Sequence, residues 1–363
     1  MARQLESDRI LFAAVVVLVL FGALMVFSAS AVMAAQRFGS SYYFLLRQAV
    51  WAVIGLAVMV GAMHLDYRRL ADPRIVFPAL GLQFILLAVV LFADRTHNAH
   101  RWLHLGPASF QPSEFSKLVL VLFLAYFLRL RRGAVNDWKH TLLPIGLVAG
   151  VSVALVVMEP DFGTSLALVL IVAAMLFAAG LRFIYFAAGV LAAAPVLYLL
   201  VLHSSYRYRR WMAFLDPYSD PLGKGFQIIQ SFIAVGTGGI GGTGLMEGKQ
   251  KLFYLPEPHT DFIFAVISEE LGFIGALLVL GLFGVILWRG LRAAGGCADE
   301  FGRLLAVGLA VMLVGQACVN ISVVLGLLPT KGIPLPFISY GGSSLLMSLA
   351  AVGILLNISQ HSS

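Results

Sequence analysis

Apolar residues run through this chain in long unbroken stretches, and the polar positions gather in the short intervals between them. A helix that crosses a bilayer needs roughly 20 consecutive apolar residues. Stretches of that kind occupy 10–32, 43–63, 75–93, 115–130, 141–158, 162–180, 183–202, 262–288, 304–326 and 337–357. The pattern predicts an all-α, polytopic membrane protein with about ten transmembrane helices, folded as one domain over 1–363. Its weakest points are 115–130, which is short, and the pair 141–158 and 162–180, parted only by Glu159-Pro160-Asp161. One polar interval is far longer than the rest. Residues 203–261 join the seventh and eighth stretches, and a structureless loop of that length usually carries function.

Composition agrees with a lipid solvent. Of 363 residues, 60% are hydrophobic and only 12% charged, with a mean hydropathy of +0.92. A soluble domain has about 25% charged residues, so this chain could not cover a wetted surface. The first stretch, from Ile10, is too long for a signal-peptide core, and no small-residue cleavage site follows it. Two cysteines, Cys297 and Cys318, cannot build a disulfide framework or a metal cluster, and both read as inert. The net charge of +7 reads as loop charge in a membrane protein and not as a nucleic-acid surface.

Basic residues in short loops set orientation. With the N-terminus in the cytoplasm, the inner set is Arg3, Arg9, Arg68, Arg69, Arg74, Arg129, Arg131, Arg132, Lys139, Arg182, Arg289, Arg292 and Arg303. The outer set is the smaller Arg37, Arg47, Arg95, Arg101, Lys117 and Lys331. Both termini are therefore expected inside, with 203–261 as a large extracytoplasmic loop.

That loop has three parts. The first is basic and aromatic: Tyr206-Arg207-Tyr208-Arg209-Arg210-Trp211. Arginine suits phosphate because its planar fork donates two parallel hydrogen bonds, but an interfacial anchor against anionic lipid explains the stretch equally well. The second is the glycine run Gly236 to Gly244, which could present backbone N–H groups to phosphate or simply be a flexible turn. The third runs from Lys249 through Pro256-Glu257-Pro258-His259-Thr260-Asp261. Thr260 or Asp261 is placed to cap the following helix. A carboxylate at this depth, facing a basic cleft, could also accept a proton from an attacking hydroxyl. Further polar groups lie in or near the stretches. Glu269 and Glu270 are too deep to share a site with Asp261, with Lys117 as a candidate partner. Asp161 is expected to cap the sixth helix, and the serines of Ser339 to Ser344 are expected to serve helix packing.

The segments Pro256 to Gly272, Gly332 to Ser344, Arg101-Trp102 with Gln111 to Lys117, and Glu159 to Thr164 resemble the signatures of the SEDS family (shape, elongation, division and sporulation). The likeness runs from the first helix to the last. Gln250 to Glu257 and Phe44 to Gln48 resemble the division branch more than the elongation branch, and the sporulation branch stays open. One departure is Glu159, where the family pattern has Gln. The resemblance implies a peptidoglycan glycosyltransferase of the bacterial inner membrane that polymerises lipid II. It puts the catalytic carboxylate at Asp261, which would deprotonate the acceptor hydroxyl. Candidate substrate-binding residues are Arg101, Trp102, Lys117, Asp161, Arg207, Arg210, Lys249, Lys251, His259, Lys331 and Ser343. A divalent cation, Mg or Mn, could assist, although no ligand spacing for one is visible. The implied partners are a class B penicillin-binding transpeptidase of the FtsI kind and other divisome membrane proteins. A lipid II flippase and a non-catalytic scaffold for a transpeptidase are the competing readings.

Overall fold

The structure, a computed structural model, describes residues 7–92, 101–106, 108–202, 205–223, 225–252, 254–330 and 332–361. Arg3, Arg95, Lys224 and Lys331, and the side chains of Arg207 and Arg209, lie outside the described residues.

Each predicted stretch is a helix. In order these are α1 (Arg9–Phe38), α2 (Tyr43–His64), α3 (Pro73–Val90), α4 (Pro112–Leu130), α5 (Leu143–Met158), α6 (Phe162–Ala178) and α7 (Phe183–Leu202). After the long interval come α10 (Ile263–Gly296), α11 (Glu300–Val324) and α12 (Gly342–Gln360). By length and composition alone, seven helices among the described residues are fit to cross a membrane. α4, α6 and α7 fall outside that set. α4 carries Glu114, Lys117 and Arg129, α6 has only 17 residues, and α7 is a 20-residue apolar helix whose second half lies partly outside the described side chains.

The 203–261 interval is not structureless, which corrects the expectation from sequence. It folds into α8 (Ser205–Leu215), a 3₁₀ turn at Pro217–Ser219 and α9 (Phe226–Gly238). A small antiparallel hairpin, β1 (Leu103–Leu105) with β2 (Ala108–Phe110), leads into α4.

α11 is the central post, packing on α10, α6 and α4. α2 lies along α12, and α1 along α10 and α2. Both termini meet at one end of the bundle: the Asp8 N–H donates to Ser359 Oγ at 3.3 Å, and Asp8 pairs with Arg289 at 2.5 Å. The opposite, far end holds the hairpin, α8 and the turn before α10.

α10 is two helices joined across a break. Gly272 sits at φ 64°, which interrupts the intrahelical hydrogen bonds. In hydrocarbon every backbone polar group needs an internal partner. The glycine run supplies those partners. Thr243 and Gly244 N–H donate to the carbonyls of Glu269 and Glu270 at 2.9 and 3.0 Å, and Phe273 N–H donates to Gly239 O at 2.9 Å. Only glycine lets the chains approach so closely, since a Cβ on Gly238 or Gly242 would collide with the α10 backbone. These amides, expected as possible phosphate donors, are thus consumed within the fold.

Candidate active site

Asp261 lies in the tight turn that ends at α10. The helix is capped by Phe262 without any side-chain hydrogen bond, so neither Thr260 nor Asp261 plays the capping part expected of it. The turn is held by its main chain instead. Asn320 Nδ2 donates to Asp261 O at 2.8 Å, Ser339 Oγ to Thr260 O at 2.6 Å, and Tyr340 N–H to His259 O at 2.9 Å. Two non-glycine residues are left-handed here, Glu257 at φ 52° and Phe337 at φ 66°. Such backbone strain persists only where the surroundings fix it.

The Asp261 carboxylate therefore remains available. It lines a cavity of about 70 Å³ with Arg210, Gln227, Glu257, Phe262, Thr330 and Gly332. A Cβ at Gly332 would stand 2.6 Å from Asp261 Oδ2, so glycine keeps that face clear. Burial pushes the carboxyl up to about 7, with Glu257 and Asp161 adding to the rise while Arg101 and Arg210 oppose it. A general base is most useful with its pKa near the working pH.

Two cations converge on this region from different elements. Arg210, on α8, donates to Thr330 O at 3.2 Å. Arg101, before β1, donates to Glu159 O at 3.2 Å and to Pro160 O. Asp161 caps α6 as expected, accepting from Thr164 N–H at 3.1 Å and Oγ1 at 2.8 Å, and also from Gln111 Nε2 at 3.1 Å. Glu159 is fully buried with no hydrogen bond to either carboxylate oxygen, and burial raises its pKa to about 9.

Lys117 does not meet Glu269 or Glu270. It is buried against Glu114 at 2.8 Å and hydrogen-bonds Gln316 Oε1. Gln316 Nε2 in turn donates to Pro334 O at 2.8 Å. Lys251 is the residue that meets the deep glutamates, pairing with Glu270 at 2.6 Å beside Ser28 Oγ. Glu269 accepts the N–H groups of Lys249 and Gln250, so the two glutamates clasp the segment that leads to the site. The Lys249 side chain is exposed, Trp102 is half-buried, and His259 is buried between Phe44 and Tyr340. Ser343 is buried in the first turn of α12.

A model of the cell cycle protein family of FtsW, RodA and SpoVE matches residues 8–363. The chain belongs to this family. It is 46% identical to a probable peptidoglycan glycosyltransferase FtsW of Geobacter sp. (strain M18), covering 98% of each chain. It is 43% identical to the stage V sporulation protein E of Bacillus subtilis (strain 168), covering 99% of each. Among solved structures, a chain from a study of polymerisation and crosslinking by a peptidoglycan synthase complex superposes with a TM-score of 0.80 at 36% identity, covering 97% of each. The rod shape determining protein RodA of Thermus thermophilus superposes with a TM-score of 0.72 at 32% identity, covering 98% of this chain and 97% of that one.

Among the described residues, no group of three or more His, Cys, Asp or Glu side chains is placed to hold a metal ion. The carboxylates around Asp261 do not supply a cation cage. Sequence reasoning missed Gln316 and Asn320, which grip the 333–334 segment and the Asp261 carbonyl from one face of α11. Their signal was present: two amides four residues apart in an apolar helix share a face and are costly unless paired. Gln227 and Thr330 had no such signal, because only the fold brings them to the cavity.

Proposed function

We propose that this protein is a peptidoglycan glycosyltransferase that polymerises lipid II, and that Asp261 is its catalytic base. The supporting observation is a carboxylate left free of capping, in a cavity, with its pKa near 7 and two arginines acting on its charge. The names of the relatives point to the same activity. In the reaction, Asp261 takes the proton of the acceptor sugar 4-hydroxyl. That oxygen attacks the anomeric carbon of the donor, and the bond to the diphosphate breaks with inversion. The electron pair leaves with the lipid-linked diphosphate, towards Arg101 and Arg210. Preorganised cations facing developing negative charge are a large catalytic contribution.

The far end of the bundle faces the periplasmic side of the inner membrane in this reading, with both termini cytoplasmic, as the basic residues of the short loops direct. Relatives named FtsW, at up to 47% identity over nearly the whole chain, support a role in division. A class B transpeptidase is the expected partner, since the structural relative comes from a peptidoglycan synthase complex that couples polymerisation to crosslinking. The deciding experiment is a lipid II polymerisation assay of wild type and Asp261→Asn, each with and without the transpeptidase. Glycan strands from wild type and none from the variant support the assignment. Strands from purified Asp261→Asn would sink it.

A further inference from the structure

A polymerase must hold two lipid-linked substrates at once, and in the reading above only the donor diphosphate leaves beside Asp261. A second polar cluster lies where the outermost turn of α2 meets the start of α12. Four buried polar atoms there have no hydrogen-bond partner: Gln48 Oε1, His259 Nδ1, Ser343 Oγ and Ser344 Oγ. Their residues are 1%, 4%, 1% and 5% exposed. Buried polar groups are ordinarily paired, so four orphans in one place call for a ligand.

The cluster is tied together by several contacts. Gln48 Nε2 donates to Ser339 O at 3.3 Å. The Phe44 ring lies 4.5 Å from His259 and 5.0 Å from Tyr340. Gly342 packs on the Trp51 indole, one turn along α2 from Gln48. The α12 N-terminus has no side-chain cap, so its free N–H groups and dipole favour an anion.

Two arginines flank the cluster, and neither has an ion-pair partner among the described residues. Arg37 ends α1, and its charge acts on His259. Arg47 sits about 6 Å along α2 from its start, exposed, stacked 4.7 Å above the Tyr43 ring and hydrogen-bonded to the Tyr340 hydroxyl. An arginine one turn from a helix end reaches the headgroup level, where an anionic group can sit beside it.

We infer that Arg37, Arg47 and the Gln48–His259–Ser343–Ser344 cluster bind the diphosphate of the second substrate, the acceptor. This rests on the polymerase reading above. The chemistry fits the geometry. The donor diphosphate must lie beside Asp261, whereas the acceptor diphosphate lies a disaccharide away from the hydroxyl that Asp261 deprotonates. The turn that carries Asp261 also carries His259, so it separates the two anions and links them.

The test uses the full-length protein and undecaprenyl pyrophosphate as probe. Native mass spectrometry should count two bound molecules for wild type and one for Arg37→Gln/Arg47→Gln. The KM for lipid II should rise about tenfold or more in that variant, with kcat within twofold, since one lost charge-assisted contact alone is worth that factor. Arg47→Lys should recover part of the KM, which a purely structural role would not allow. Ser343→Ala/Ser344→Ala, away from the arginines, should weaken the second molecule alone. Both arginines are exposed, so helix content and thermal midpoint should be unchanged. Two molecules still bound by the double arginine variant would overturn the inference, as would displacement of the second molecule by equimolar phosphatidylglycerol. If wild type binds two molecules yet makes no glycan, the polymerase reading fails while the second anion site stands.

Discussion

The amide of Asn320 holds the backbone oxygen of Asp261 at 2.8 Å, and the same nitrogen holds Ile333 O at 2.6 Å. One side chain on α11 thereby fixes both the turn that carries Asp261 and the strap that lies against it. Asn320→Ala should cut the polymerisation rate about 10–100-fold, the range expected when a reacting group is misplaced by about 1 Å. The pH at which activity rises should stay where it is in wild type, since Asn320 does not touch the carboxylate. Initial rates from pH 6 to 9 separate these two effects.

Asp261→Asn should lower the rate by about 10²–10⁴-fold, the usual worth of a general base. It should also stabilise the protein, with a pH dependence of definite sign. The folded-state pKa is raised from 3.8 to about 7, so stability falls as pH climbs from about 4 to 7 and then levels off. Removing the charge recovers on the order of 2 kcal/mol at pH 8, allowing for solvent at the open face, and nothing at pH 4. Thermal unfolding at the two pH values reads the difference directly.

The wild-type rate should rise through about pH 7 as Asp261 ionises. Arg210 favours the anion, so Arg210→Gln should move that limb to higher pH. Glu257 disfavours it, so Glu257→Gln should move the limb lower. A pH–kcat/KM profile of the three proteins checks the ordering; identical limbs would remove Asp261 as the group being titrated.

Glu159 stands fully buried without a hydrogen-bond partner for either oxygen. Its pKa, raised from 4.5 to about 9, means that folding loses stability steadily as pH rises across that interval. Glu159→Gln, which restores the residue of the family pattern, should stabilise the protein by on the order of 1–3 kcal/mol at pH 7. The gain should vanish at pH 4. Melting curves at both values test it, and equal gains at both would contradict the assignment.

Lys251 and Glu270 form an ion pair with almost no exposure, at 5% and 0%. Breaking one side leaves a buried charge, at a cost of about 3–5 kcal/mol. Lys251→Met should therefore lower the thermal midpoint sharply, and Lys251→Met/Glu270→Gln should recover part of the loss. Unfolding of the purified variants in detergent provides the comparison.

Much of this was legible in the sequence. The helices followed from apolar run length, because a bilayer imposes a single thickness on every crossing. Asp161 announced itself as a cap by standing before Phe162-Gly163-Thr164. Long-range pairings were not legible. Lys251 and Glu270 lie 19 residues apart on separate segments, and nothing local favours that pair over Lys117 and Glu270. The glycine run showed that the chain approached something closely, yet only the break at Gly272 reveals what. The helices inside 203–261 were hidden because α8 is amphipathic and α9 short, so neither stands out on a scale tuned to membrane crossing.

The interruption at Gly272 bears on how the protein is made. The two halves of α10 cannot meet their own backbone needs, and Gly239 to Gly244 supply what is missing. Insertion of α10 into lipid ahead of α9 would leave bare peptide groups in oil. The two segments therefore have to find each other before α10 is complete, and a substitution that bulks up the glycine run would act first on biogenesis, before any catalytic turnover.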